Sequence, residues 1–521
     1  MTKETIIDRL NAITSYYSFG RILGYIAFNE GIGIKAQLEN GQKKNNERLI
    51  TAEIRFLAGL WVQNVDTTKS LDITHDEIII AEVYNLMDKL HNIYVESGGI
   101  EDGFIENFFY EGDFAYDWQY TTFAKEKYQH TKLSSVLKFD YVYDIFKVKS
   151  TISKIKKIII DQLKYRIERK RKTKEYISPV NAFTIKYNKY NKVFDDAEKE
   201  IIRRYTIKIG DRFPSKIFSI DDYNYFRDTP IIEIPNRGFF VVDVSSIAIA
   251  SDELPDKWLL ESDIEQYNQI KGQINEDIVL NILKRRFENC FKSLDILRYK
   301  KKGKVSDIDD FFSFENFGCV FQVKSKCLTN LSHQGNLEKI REDTKMAIID
   351  AYNQGIACID CLKDPSKYYS LVNSGLQYTE KLELICISIT RNAFPGISTL
   401  CSINNVNNSH EMPIIAMSIY DLDTIFYLFQ PSDIVEYLKF RVQCAKKNIF
   451  GANEIYYIGA FMANKNEGIK LTHNRIPREY ALFADYIIKQ CKNNQYKNKD
   501  VDCDIPCLIA KFPITSPITC Q

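Results

Sequence analysis

The chain has 521 residues, which is too long for one typical hydrophobic core, so we expect about two to four domains. Its 45% hydrophobic and 27% charged residues are typical of a folded globular protein and exclude an intrinsically disordered one. The formal net charge of +1 excludes a strong overall attraction to nucleic acid or to an anionic membrane. Because the sequence has neither a signal-peptide pattern nor about 18 consecutive apolar residues, we expect a cytoplasmic protein with no membrane partner.

Residues 1–205 are expected to form a mainly helical domain that senses a target or assembles a complex. Within it, residues 147–174 carry twelve Lys or Arg against two acids, and their apolar residues recur at steps of three and four. This pattern predicts an amphipathic helix with one basic face. We expect Arg169, Lys170, Arg171 and Lys172 to bind nucleic-acid phosphates, with an ordinary solvated helix face as the alternative.

The second half of the chain changes to short strand-like stretches. Residues 206–265 predict a mixed connector, because their apolar runs are separated by Asn, Asp, Gly and Pro. Residues 266–465 follow with the order helix, three strands, helix, strand, and residues 466–521 form a C-terminal extension. The predicted fold class is therefore α/β, with a mixed sheet flanked by helices in the C-terminal half and a mainly helical N-terminal region.

All twelve cysteines lie at or after Cys290. The pairs Cys358 and Cys361, and Cys503 and Cys507, are close enough in sequence to form a zinc site if the fold brings them together. The alternative is that they are small buried apolar residues, because both pairs lie in hydrophobic stretches.

One predicted hairpin concentrates polar side chains, over the residues VSDIDDFFSFENFGCVFQVKSK at 305–326. Side chains alternate along a strand, so Gln322 and Lys324 share one face. A two-residue turn at Asn316-Phe317 would set Asp309 opposite Lys324. A three-residue loop ending in a left-handed Gly318 would set Asp310 there instead. The spacing leaves both registers open.

An acid and a lysine on adjacent strands suit metal-dependent cleavage of a phosphodiester bond. The carboxylate can hold a hard divalent cation, the carbonyl of Val323 can add an oxygen, and the ammonium can orient or help to deprotonate the attacking water. The pattern of Asp, a gap, and Gln-Val-Lys resembles the PD-(D/E)xK motif of restriction-endonuclease-like nucleases, in the Gln-x-Lys variant typical of Mrr-like members. The stretch INEDIVLNILKRRF also resembles the first helix of that family, with Glu276 at the matching place.

The resemblance covers residues 266–430 and implies a restriction-endonuclease-like fold. It implies catalytic roles for Glu276, Asp309, Gln322 and Lys324, and it favours Asp309 over its neighbours because the family's aspartate usually follows Ile or Val. Asp309, Val323 and Glu276 would be the ligands of Mg²⁺ or Mn²⁺, and Gln322 removes one negative ligand from the commonest pattern. The implied function is a metal-dependent nuclease acting on DNA in bacterial restriction or anti-phage defence, as a homo-oligomer or with a partner protein of a defence system.

Two other functions are compatible with the sequence. A catalytically silent restriction-like domain could bind nucleic acid or a partner protein through the basic helix. An interaction scaffold without a nucleic-acid role would instead bury that helix against the acidic segment 101–117.

Overall fold

The computed structural model describes most of the chain as two compact units. The main described segments are residues 2–30, 51–96, 145–173, 179–211, 224–242, 264–299, 303–326, 337–373, 382–391, 412–451 and 453–464, with single residues and short stretches between and after them up to residue 491. One unit comprises Met1–Gln269 with His333–Asn336, and the other Ile270–Ser332 with Leu337–Gln521. Among these described segments, no helix is long and apolar enough to cross a membrane. The acidic segment 101–117, Cys503 and Cys507 lie outside the described residues.

The first unit consists mainly of helices with one small sheet. Its elements in chain order are α1 (Lys3–Thr14), α2 (Phe19–Glu30), α3 (Thr51–Asn64), α4 (Asp76–Glu96), α5 (Ile145–Thr173), β1 (Thr184–Lys186), α6 (Tyr187–Val193), α7 (Asp196–Arg204), β2 (Thr206–Lys208), β3 (Ile231–Ile234) and β4 (Gly238–Phe240). The helices bury their apolar faces, as Leu10, Leu57 and Trp61 illustrate with at most 1% exposure.

The sheet of this unit has the order β1-β4-β3-β2, with only the β2–β3 pair parallel. Strands β2 to β4 come from residues 206–265, which we expected as a separate connector, and β4 pairs with β1 from the preceding region. Gly238 at the start of β4 has φ +131°, and a Cβ there would lie 2.2 Å from the carbonyl oxygen of Ile185. Only glycine fits this backbone.

Helix α5 is the predicted basic helix. Of the apolar residues that recur at steps of three and four, Ile152, Ile155, Ile159 and Leu163 are buried and Ile167 is half-buried, so this spacing identified the inner face of the helix. Its N-terminal half is tied to the start of α7 by ion pairs between lysines of α5 and acids of α7 and its cap. These pairs are Lys147 Nζ to Asp195 Oδ2 at 2.6 Å and Lys154 Nζ to Glu198 Oε2 at 2.8 Å.

The second unit contains a five-stranded mixed sheet with helices packed on it. Its elements are α8 (Ile264–Leu283), β5 (Cys290–Leu297), β6 (Lys304–Phe314), β7 (Phe317–Lys324), α9 (Leu337–Thr344), a π-helical turn (Lys345–Ile349), α10 (Asp350–Lys363), α11 (Tyr369–Asn373), β8 (Glu383–Thr390), β9 (Ala416–Ser418), α12 (Ile419–Leu428), α13 (Pro431–Lys446) and α14 (Glu454–Asn464). The first residues of α8, Ile264–Gln269, belong to the first unit. The predicted α/β class with a mixed sheet is confirmed in this coarse form.

The strand order is β5-β6-β7-β8-β9. Strands β5, β6 and β7 form an antiparallel meander, whereas β8 and β9 are parallel to β7. A parallel neighbour needs a crossover, and α9 to α11 supply it between β7 and β8. On one side of the meander, the rings of Phe287 and Phe312 stack with centroids 4.0 Å apart, and Phe426 of α12 packs edge-on against Phe312.

The β6–β7 register differs from both of our predictions. The observed pairs run from Phe314 opposite Phe317 to Asp310 opposite Phe321, so the turn is Glu315-Asn316. Glu315 adopts φ +52°, which sequence reasoning does not expect of a glutamate. Gly318 lies inside β7, where a Cβ would come within 2.8 Å of Leu384 Cδ2, so close packing and not a turn requires this glycine.

A buried polar cluster is formed by side chains of α12, α13 and α14 in this unit. We use that name for Asp421 of α12, Tyr437 and Arg441 of α13, and Glu454 of α14. Arg441 Nε lies 2.7 Å from Glu454 Oε1, and the Tyr437 hydroxyl donates to the same oxygen. The side chains of Arg441 and Glu454 are only 1% and 3% exposed.

Candidate functional site

The candidate site lies where β6 and β7 separate. Their main-chain pairing ends at Asp310 and Phe321, while β6 continues beside β5 and β7 continues beside β8. Side chains bridge the opening: Gln322 Nε2 donates to the carbonyl of Asp307 at 2.8 Å, and Asp309 Oδ2 accepts from the N–H of Val323 at 2.7 Å. Continuing the observed register sets Asp309 opposite Gln322, so our expectation that Asp309 or Asp310 lies opposite Lys324 is wrong.

Asp309 is a buried carboxylate in a mixed electrostatic environment. Burial, which leaves it 7% exposed, raises its pKa to about 6, and the charges of Glu276 and Asp307 add to the rise. The Val323 N–H and the charge of Lys324 act in the opposite direction and lower the pKa. The charges of Lys324 and Glu276 therefore both act on the pKa of Asp309. These three residues, of the four predicted to be catalytic, interact electrostatically.

Glu276 reaches this cluster from α8. Its Oε2 accepts a hydrogen bond from Ser293 Oγ at 3.0 Å and lies 3.7 Å from Lys292 Nζ. Lys292 also pairs with Asp277 at 2.7 Å. The Glu276 side chain is 24% exposed, so it remains accessible to solvent ions while β5 holds it in place.

Lys324 is held by a neutral side chain. Its Nζ donates to Gln354 Oε1 of α10 at 2.7 Å, and Gln354 Nε2 donates to Asp307 Oδ1. The second oxygen of Asp307 pairs with Lys304 at 3.0 Å. Our sequence reasoning missed Gln354 and Lys304, and Gln354 lies 30 residues after the lysine that it contacts. No local pattern could have identified it.

Asp310 is buried more completely than Asp309 and differs from it in its hydrogen bonds. It has no solvent exposure, it lies opposite Lys292 and Phe321, and neither of its carboxyl oxygens has a hydrogen-bond partner among the described residues. Burial raises its pKa to about 9, with further contributions from the charges of Glu276 and Asp309. At neutral pH this carboxyl group is protonated.

The candidate site contains oxygen atoms of the kind that a hard divalent cation prefers as ligands. Asp309 and Glu276 offer carboxylates, and Gln322 Oε1 is a buried acceptor with no partner in the described part of the chain. Hard cations of this kind prefer oxygen ligands. For Val323, expected to contribute its carbonyl, the observed contact is the N–H donated to Asp309. The described residues include no group of three or more His, Cys, Asp or Glu side chains arranged to hold a metal ion.

The four predicted nucleic-acid-binding residues lie in the last turns of α5. Arg169 and Lys172 are exposed, and the side chains of Lys170 and Arg171 lie outside the described part of the chain. The ion pairs to α7 involve the other end of the helix.

Cys358 and Cys361 are buried on α10, and burial raises the pKa of both thiols. The Cys358 thiol donates to the carbonyl of Asp307 at 3.1 Å, on the inner side of the candidate site. This packing agrees with the interpretation of these two residues as small apolar ones.

Comparison with protein-family models, curated proteins and solved structures finds no match to this chain. The function proposed below therefore depends on the geometry and charges of the site residues.

Proposed function

We propose that this chain is a divalent-metal-dependent nuclease with a restriction-endonuclease-like domain, acting on DNA in bacterial restriction or anti-phage defence. The observation that supports the proposal best is the meeting of Asp309, Gln322 and Lys324 at the opening between β6 and β7. The effect of the Glu276 charge on the pKa of Asp309 supports it further. The order of one helix, three antiparallel strands, a helical crossover and a parallel strand also agrees with that fold.

The side chains have distinct roles in this proposal. Asp309 and Glu276, with the Val323 carbonyl, would hold Mg²⁺ or Mn²⁺, whose charge would polarise the scissile phosphate. Lys324 binds a phosphate oxygen or orients the attacking water through N–H groups that Gln354 does not use. Gln322 bridges to β6 and keeps the opening in shape.

A cleavage assay tests the proposal. Purified protein is incubated with plasmid, linear DNA and RNA, each with Mg²⁺, with Mn²⁺ and without metal. We expect metal-dependent cleavage of DNA by the wild type and none by Lys324→Met. The control is Lys363→Met, which removes an exposed lysine of α10, makes the same charge change and should cleave like the wild type. Absence of cleavage of every substrate under all metal conditions would contradict the proposal.

The second candidate function is a catalytically silent domain that binds nucleic acid. The observation in its favour is that the neutral Gln322 removes one negative ligand from the commonest pattern, while burial raises the pKa of Asp309 to about 6. Binding would then depend on the end of α5. Charge reversal at Arg169, Lys170, Arg171 and Lys172 should reduce the salt dependence of DNA binding, by about one unit of log–log slope for each lost phosphate contact. Fluorescence anisotropy over a series of salt concentrations measures this slope.

A further inference from the structure

Gln354 connects the two charged groups that flank the opening of the hairpin. A primary amide has an acceptor oxygen and a donor nitrogen, and here the oxygen accepts from the Lys324 ammonium while the nitrogen donates to the Asp307 carboxylate. The reversed orientation would set an NH₂ group against an ammonium and an oxygen against a carboxylate. The two charges therefore fix the orientation of the amide.

The amide also separates the two charges. Among the described residues, the ion pair of Asp307 is with Lys304, at 3.0 Å, and Lys304 pairs in turn with Asp295 at 2.8 Å. Lys324 contacts the neutral Gln354 instead. Opposite charges attract strongly in a partly buried site, and Gln354 is the neutral side chain that lies between Lys324 and Asp307.

Helix α10 gives Gln354 a rigid base. The next residue, Gly355, lets the helix lie close to the sheet, since a Cβ there would come within 2.9 Å of Cys386 Cβ on β8 and 3.4 Å of Gln322 Cγ on β7. A polar side chain on a closely packed helix loses little further freedom when it forms its hydrogen bonds.

We propose that Gln354 is a positioning residue that keeps the Lys324 ammonium from pairing with Asp307 and so leaves it available to the phosphodiester substrate. The inference rests on the nuclease function proposed above. A lysine paired directly with Asp307 would have its positive charge compensated and its ammonium drawn away from the substrate before the transition state forms. Loss of Gln354 should therefore lower kcat and leave KM nearly unchanged.

The first test is a cycle of substitutions measured by cleavage kinetics. Gln354→Leu should lower kcat about tenfold or more with KM changed less than about twofold. Gln354→Leu combined with Asp307→Asn should recover most of the loss, because a neutral amide at position 307 has no charge to capture the lysine. Gln443→Leu, at an exposed glutamine of α13, should match the wild type. A double variant as slow as Gln354→Leu, or a Gln354→Leu variant as fast as the wild type, would overturn the inference. Gln354→Ala replaces Gln354→Leu if circular dichroism shows that the latter is unfolded.

The second test does not require cleavage. The Lys324 amine is acylated by a succinimidyl ester at one fixed pH, without metal or substrate, and site-resolved mass spectrometry gives the rate, with Lys363 as internal reference. Gln354→Leu should slow the labelling of Lys324 several-fold, and adding Asp307→Asn should restore it. Unchanged labelling in Gln354→Leu overturns the inference whatever the kinetics show. Wild-type protein that cleaves nothing but follows the expected labelling pattern would reject the nuclease proposal and retain the positioning of Lys324 by Gln354.

Discussion

The hairpin site and the buried polar cluster each contain an aspartate of raised pKa and a nearby cation, Asp309 with Lys324 and Asp421 with Arg441. The two cations have different hydrogen-bond partners. In the buried polar cluster, Arg441 pairs directly with Glu454 at 2.7 Å, and its guanidinium stacks on the Tyr457 ring at 3.5 Å from the centroid. In the hairpin site, Lys324 donates to a neutral amide, and Asp309 accepts from a main-chain N–H.

This difference indicates a structural role for the charge of Arg441, and it supports the chemical role proposed for the charge of Lys324. Arg441 of α13 uses its charge to hold Glu454 of α14, and removing one partner leaves the other unpaired in a medium of low dielectric. A lysine held by a neutral group keeps its charge for a ligand. The comparison predicts that substitutions will lower activity at one place and stability at the other.

Lys324→Met should abolish detectable cleavage, because a neutral side chain of similar length cannot stabilise charge in the transition state or help to deprotonate water. The loss should reach about 10²–10⁴-fold in kcat/KM, the usual contribution of a group that transfers a proton. The free energy of unfolding should change by less than about 1 kcal/mol. Cleavage kinetics and urea denaturation measure the two quantities. Equal cleavage by wild type and variant would mean that the hairpin is ordinary sheet surface.

Arg441→Met should give the opposite result, with a loss of about 3–5 kcal/mol in the free energy of unfolding, because Glu454 and Tyr437 stay buried without their cation. Urea denaturation followed by circular dichroism measures the change. Lys446→Met, an exposed lysine of the same helix, should stay within about 0.5 kcal/mol of the wild type. A small effect of Arg441→Met would show that its ion pair does not support the fold.

The pH dependence of stability should differ between wild type and Asp421→Asn. Burial, helped by the charge of Glu454, raises the pKa of Asp421 to about 7, above its value of about 3.9 in the unfolded chain. Its stabilising contribution is therefore complete below about pH 3.9 and is lost as the pH rises through about 7. The variant lacks this loss, so its stability relative to the wild type should increase between about pH 4 and pH 7, the range between the pKa values of Asp421 in the unfolded and the folded chain. Denaturation midpoints measured across that range that differ by a constant amount would contradict the assignment.

Asp310→Asn should have the smallest effect. Its carboxyl is neutral at pH 7, since burial raises the pKa to about 9, so an amide of the same shape should change the free energy of unfolding by less than about 1 kcal/mol. Cleavage should stay within a few-fold of the wild type, whereas Asp309→Asn should lose it by weakening the hold on the cation. Parallel cleavage and denaturation measurements on both variants decide which aspartate serves the site. Equal loss of activity in the two would contradict the separate roles.

Local patterns in the sequence predicted several parts of the molecule. The spacing of Ile152, Ile155, Ile159 and Leu163 identified the inner face of α5, because helical periodicity depends only on near neighbours along the chain. The same reasoning grouped Gln322 with Lys324 and drew attention to Asp309. The same reasoning could not predict the register of the hairpin. Its turn places Glu315 at positive φ, and Phe312 stacks on Phe287 and on Phe321 of the neighbouring strand.

The amino-acid sequence by itself determined the α/β class of the second unit, the amphipathic α5, and the short set of polar residues from which a site could be built. The tertiary structure alone decided which of two adjacent aspartates is neutral and which side chain holds the lysine. The physical reason is distance along the chain. The environment of Asp310 depends on β5 and α8. The contact of Lys324 with Gln354 depends on how α10 packs against the sheet. Neither can be predicted from the residues that are adjacent in sequence.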